Sequence, residues 1–128
     1  HRQSSAASDV YKRQLIDRFI DSTIAYQHYG MGVDIKVIRF INRFLLKNIS
    51  VDFTFLNLVN KRNLYLRLKK RKNLNRYDKF NINFYNKVQN GFLKLANLKK
   101  KSYHLIDSNL DIKLNEKLIL KKIDELIF

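Results

Sequence analysis

A chain of 128 residues holds one domain or a piece of one, and its 45% hydrophobic content excludes a disordered protein and calls for a packed core. The absence of Cys excludes a disulfide framework and a thiolate metal site, and His1, His28 and His104 have no metal-ligand spacing. The formal net charge of +15 points first to polyanionic partners, yet the Lys and Arg residues are scattered among Asn, Ile, Phe and Leu rather than gathered in one patch, which argues for a compositional background plus a small phosphate-handling set.

Residues 1–14 carry Ser4, Ser5, Ala6, Ala7 and Ser8 and none of the Ile, Leu, Phe or Asn that fill the rest of the chain, so they read as sequencing-adapter read-through or a cloning junction and stand apart from the fold. Leu15 and Ile16 read as the last residues of a buried strand ending at Asp17. Asp34 offers an N-cap for a helix whose apolar positions Ile35, Ile38, Ile41, Phe44 and Leu45 recur at helical spacing. The nearly continuous apolar run from Asp52 to Val59 suits a parallel strand covered on both faces, and a second helix is expected to about Lys70.

Residues 71–79 (RKNLNRYDK) are polar and basic and read as a loop or mobile lid. Helical spacing returns through Phe84, Tyr85, Val88, Phe92, Leu93 and Leu95. Tyr103 to Asp107 is another short strand candidate, and Leu114 to Phe128 reads as a closing amphipathic helix. Strands alternating with helices of this length predict an α/β fold with a parallel sheet flanked by helices. Two or three strands make a thin sheet for so many helices, which marks the sheet as incomplete. No apolar run approaches the roughly 18–20 residues of a membrane span and no signal peptide is evident, so the chain is expected to be cytoplasmic, without a membrane partner.

The stretch Asp17-Arg18-Phe19-Ile20-Asp21-Ser22-Thr23-Ile24-Ala25-Tyr26-Gln27 carries the chemistry. At the carboxyl end of a strand, Asp17 and Arg18 would stand where ligands bind in open α/β sheets, and Ser22, Thr23, Tyr26 and Gln27 would face one pocket from the adjoining helix. The stretch resembles the D-R-x-x-x-S-x-x-A-Y-Q motif of bacterial thymidylate kinases. Leu74-Asn75-Arg76-Tyr77-Asp78 and the run from Phe84 through Val88 and Gly91 to Ala96 resemble that family's lid and its following helix. Weaker likenesses are Asp52-Phe53-Thr54 and Ile106-Asp107-Ser108, the second resembling the end of the last strand near the adenine site.

The resemblance covers about residues 15–128. It implies the C-terminal part of a P-loop nucleoside-monophosphate-kinase fold and an intact parent that phosphorylates dTMP to dTDP with ATP and Mg²⁺. By the same resemblance Arg18 holds the dTMP phosphate, where a guanidinium fork suits the oxygens. Asp17 supports the Mg²⁺ and phosphate-loop region, Thr23 bonds the thymine edge, Tyr26 crowds the sugar, and Ser22 and Gln27 line the pocket. Arg71 and Arg76 act from the lid on the charge of the transferring phosphoryl group. A homodimer is implied for the intact enzyme.

The departures are Met31 in place of an arginine, Asn57 in place of an acidic residue and Asn75 in place of the lid aspartate. No G-x-x-x-x-G-K-[ST] sequence occurs, and the chain's glycines are Gly30, Gly32 and Gly91, so the ATP cradle has no counterpart here and the fragment is expected to be inactive alone. Two other readings are a basic nucleic-acid-binding module, which lacks any RNP-like, helix-turn-helix or zinc signature, and a helical interaction domain, disfavoured by the two strand-like runs.

Overall fold

A computed structural model describes residues 13–71 and 82–127 of the chain. A short helix, α1 (Ile20–Thr23), runs directly into a seven-residue π-helical segment (Ile24–Gly30). Then come α2 (Ile35–Leu45), β1 (Thr54–Leu58), α3 (Lys61–Lys70), α4 (Ile82–Leu98), a 3₁₀ turn (Lys100–Ser102), β2 (Tyr103–Asp107) and α5 (Ile112–Ile127). Residues 1–12 of the expected adapter-like segment 1–14, and the expected lid beyond Arg71, lie outside the described residues.

The two strands pair in parallel with Thr54 opposite Tyr103 and Leu58 opposite Asp107, as their apolar runs predict. The strand expected at Leu15 and Ile16 does not form: both residues are exposed, Leu15 to 94%, in irregular backbone. An isolated apolar pair becomes a strand only where a neighbour takes up its N–H and C=O groups, and among the described residues none runs beside it. Asp17 and Arg18 therefore sit in a bend ahead of α1, not at a strand end.

Side-chain caps start the helices where the sequence placed them. Asp34 Oδ1 accepts from the Lys36 N–H at 2.9 Å, and Asn60 Oδ1 accepts from the Asn63 N–H at 2.8 Å. The closing helix begins two residues earlier than its periodicity suggested, because Asp111 accepts from the Leu114 N–H at 3.4 Å and supplies the cap. In α2 the covered row is Ile35, Ile38, Asn42 and Leu46, while Ile41, Phe44 and Leu45 of the expected apolar set are exposed.

The core lies where the π segment crosses α4. Ile24, Ile38 and Leu95 form one buried cluster, and Ala25, Phe84 and Val88 form another, with Tyr26, Tyr85 and Phe92 packed against it. Two glycines allow this approach. A Cβ on Gly91 would stand 2.7 Å from Tyr29 Cβ, and one on Gly30 would stand 2.8 Å from Phe84 Cε2. The covered faces of the π segment and α4 can meet only because these positions carry no side chain.

Hydrogen bonds then tie the helices to the strand ends. The Val59 N–H donates to Gln89 Oε1 at 3.0 Å, and Arg67 Nη2 donates to the Ser108 carbonyl at 2.6 Å. Asn109 Oδ1 accepts from the Asn60 N–H and from Asn63 Nδ2. The carboxyl ends of the strands are thereby joined to α3 and α4.

Candidate functional site

The residues singled out in the first motif meet at one cavity of about 350 Å³, lined by Arg18, Phe19, Ile20, Ser22, Thr23, Tyr26, Gln27, Asn42 and Leu46. Arg18, Ser22, Thr23, Tyr26 and Gln27 are thus brought together. Asp17 is exposed and does not line the cavity. Arg71 caps the C-terminal end of α3 in extended backbone, away from the cavity lining, and Arg76 lies outside the described residues.

The wall of the cavity is built by a change of helix type. After one α turn the chain widens into the π segment, with the Met31 N–H donating to the Tyr26 carbonyl at 3.0 Å, five residues back. His28 Nδ1 lies 2.7 Å from the Val33 carbonyl, and the Val33 N–H donates to the Gln27 carbonyl at 2.8 Å, so the widened segment is closed off before α2. A π turn changes the angular spacing of side chains and is frequent at functional sites. Here it carries Tyr26 and Gln27 on the cavity side while Ile24 and Ala25 stay in the core.

Arg18 has a φ of 61°, and no other described non-glycine residue has positive φ. A left-handed conformation costs a residue with a Cβ about 1–2 kcal/mol, so the surrounding contacts must hold it. Its guanidinium carbon lies 5.2 Å from the centroid of the Tyr26 ring. Tyr26 is itself wedged edge-on against Phe84 and Phe92, at centroid distances of 6.1 and 6.4 Å. The positive charge is therefore carried by a ring that the core fixes.

Sequence reasoning missed Phe19, Ile20, Asn42 and Leu46. Asn42 had a signal, since it is a polar residue inside the otherwise apolar and basic run Val37 to Leu46, on the same face as Ile38. The cavity as a whole presents one guanidinium, two hydroxyls, a phenol and two carboxamides above Phe19, Ile20 and Leu46. Such a lining can hold an anionic group at the guanidinium and offers several hydrogen-bonding groups beside it.

A family model of thymidylate kinases matches residues 6–119. The chain belongs to the thymidylate kinase family. It is 43% identical over 82 residues to the thymidylate kinase of Wolbachia pipientis wMel, covering 64% of this chain and 40% of that protein. It is 33% identical over 111 residues to that of Sulfurihydrogenibium sp., covering 87% of this chain and 53% of that protein. A crystal structure of thymidylate kinase from Ehrlichia chaffeensis is similar with a TM-score of 0.56 and 27% identity, over 84% of this chain and 48% of that one.

The chain thus spans about half the length of the relatives it matches, and its thin sheet with flanking helices is part of a P-loop nucleoside-monophosphate-kinase fold. Among the described residues no three His, Asp or Glu side chains gather to hold a metal ion, and the chain contains no phosphate-loop sequence to cradle ATP. No described helix is long and apolar enough to cross a membrane.

Proposed function

We propose that this chain is the acceptor-nucleotide half of a dTMP kinase, binding dTMP in the cavity around Arg18 and leaving the donor, MgATP, to the parent enzyme. The observation that carries this reading is the cavity itself, which collects Arg18, Ser22, Thr23, Tyr26 and Gln27 from the kinase motif in one wall. Arg18 takes the phosphate through its guanidinium fork. Thr23 offers a hydrogen bond to the thymine edge, Ser22 and Gln27 add polar groups to the lining, and Tyr26 bounds the sugar.

Binding of this kind does its catalytic work by orientation. An acceptor oxygen held in line with a donor phosphoryl group converts an encounter into a near-attack geometry. In the intact enzyme Asp17 supports the Mg²⁺ and phosphate-loop region, while Arg71 and Arg76 add positive charge from the lid as the phosphoryl group transfers. The parent acts in the cytoplasm and as a homodimer, the second of these supported by the apolar face that Val37, Phe40, Ile41 and Phe44 expose on α2.

The test is a dTMP titration of the isotope-labelled chain followed by NMR, beside a coupled assay with MgATP. Saturable shifts of Thr23, Tyr26 and Gln27 amides without turnover are expected. Arg18→Ala is expected to weaken dTMP by about ten- to hundredfold, the scale of a lost charge-assisted hydrogen bond. Turnover by the isolated chain, or unaltered dTMP affinity in Arg18→Ala, would sink the division of labour proposed.

A further inference from the structure

Asp21 lies between Ile20 and Ser22, both of which line the cavity, yet it does not line it. Its side chain is only 15% exposed and turns toward the other half of the chain. There it accepts a hydrogen bond from the Tyr103 hydroxyl, and Lys99 Nζ lies 3.2 and 3.5 Å from its two oxygens. Tyr103 is the first residue of β2 and the register partner of Thr54. One carboxylate thus links the motif helix, the end of α4 and the first residue pair of the sheet.

We propose that Asp21 is the positioning residue of the acceptor site, fixing the left-handed turn that aims Arg18 by pinning the first turn of α1 to Tyr103 and Lys99. The inference rests on the acceptor-site reading and adds to it a residue that never touches the nucleotide. Three observations carry it. First, Phe19 gives the first turn of α1 no side-chain cap, so beyond the Ser22 and Thr23 N–H groups donating to the Phe19 carbonyl, Asp21 is the side chain that ties this turn to the rest of the fold. Second, Leu15 and Ile16, just ahead of the bend, are exposed and add no apolar packing to it. The strained φ of Arg18 stands directly ahead of the turn that this carboxylate ties down.

The third observation concerns charge. A free carboxylate three residues from Arg18 would compete with a phosphate for the guanidinium. Engaged by Tyr103 and Lys99, it is withdrawn from that contest, and Arg18 lies over Tyr26 instead. Burial first, and then the neighbouring Asp21 as hydrogen-bond partner and as charge, push the Tyr103 phenol well above its usual range, so it remains a donor throughout the neutral region.

The test compares Asp21→Asn and Tyr103→Phe with the unaltered chain, each titrated with dTMP and with thymidine, which lacks the phosphate. Tyr103→Phe removes only a hydroxyl and carries the test if Asp21→Asn does not fold. Expected are intact amide spectra, dTMP affinity lowered about tenfold or more, thymidine affinity changed less than about twofold, and a shift of the Arg18 side-chain resonances away from the Tyr26 ring current. Proportional losses for both ligands would make Asp21 a general stabiliser and overturn the inference, as would unchanged dTMP affinity in both variants. No dTMP response in the unaltered chain would overturn the acceptor-site reading along with it, whereas binding by the unaltered chain with unaffected variants would overturn the inference alone.

Discussion

The crossing of the π segment with α4 and the outer helices α2 and α5 draw on the same Ile, Leu and Phe residues to different ends. At the crossing, Ile24, Ala25, Phe84, Val88, Leu95 and Ala96 are nearly sealed from solvent, and Gly30 and Gly91 let ring and backbone meet. In α5 no residue is buried, and α2 buries Ile38 alone. The folding energy of this chain is therefore concentrated beneath the cavity wall, and the periphery contributes apolar surface that it leaves exposed.

That contrast breaks most visibly in the core. Leu95→Ala is expected to lower unfolding stability by about 2–5 kcal/mol, because Leu95 joins Ile24 and Ile38 in a cluster with little freedom to collapse. The same truncation at Leu118 of α5, 43% exposed, should stay within about 0.5 kcal/mol. Urea denaturation of both variants checks the pair, and comparable losses would mean that α5 is held as firmly as the crossing.

Glycine substitutions sharpen the same point on a smaller scale. An added Cβ at Gly91 meets Tyr29 Cδ2, Cβ and Cγ at 2.6 to 2.7 Å, and Tyr29 Cβ cannot swing aside without its backbone. Gly91→Ala should cost about 1–3 kcal/mol. Gly32 has no atom within 4 Å of such a Cβ, but its φ is 79°, so Gly32→Ala should cost about 1 kcal/mol through backbone strain alone. Thermal melts order the two. If Gly32→Ala is the worse, close helix packing is not what holds the crossing together.

Parts of this arrangement could be read from residues alone. The strands were legible because Phe55-Leu56 and Leu105-Ile106 sit in short apolar runs, and α2 because Asp34 can cap it and does. Arg18, Ser22, Thr23, Tyr26 and Gln27 were legible as a set because a motif keeps them in order, and the fold does bring them to one cavity. Leu15 and Ile16 misled, since a strand is a property of a pair of segments and composition reports only one of them. The α2 face misled for a related reason: Ile41, Phe44 and Leu45 match helical spacing as well as Ile38 does, and only packing against Ile24 selects the row that contains Asn42.

The π segment had no local signature. It arises from fitting Tyr29 against Gly91 and Gly30 against Phe84, contacts between residues more than fifty positions apart. Asp21 was read only as a letter between Ile20 and Ser22 of the motif, because its partners Lys99 and Tyr103 lie 78 and 82 residues away.

The smallest expected effect is a pH dependence that separates the two regions through Tyr103. Its phenol is held well above the ordinary value near 10, by burial first and then by Asp21. Between that value and the raised one, the folded chain keeps a proton that the unfolded chain has released. Stability from this group is therefore complete below about pH 10 and falls as pH rises beyond it. The other tyrosines and the lysines titrate in the same range, so the informative quantity is the difference between the unaltered chain and Tyr103→Phe. Tyr103→Phe should be the less stable at pH 8, and the gap should narrow steadily above pH 10 in chemical denaturation. A gap that stays constant across that range would mean the Tyr103 hydroxyl does not lean on the Asp21 carboxylate, and Asp21 would then tie the cavity wall only to the end of α4, through Lys99.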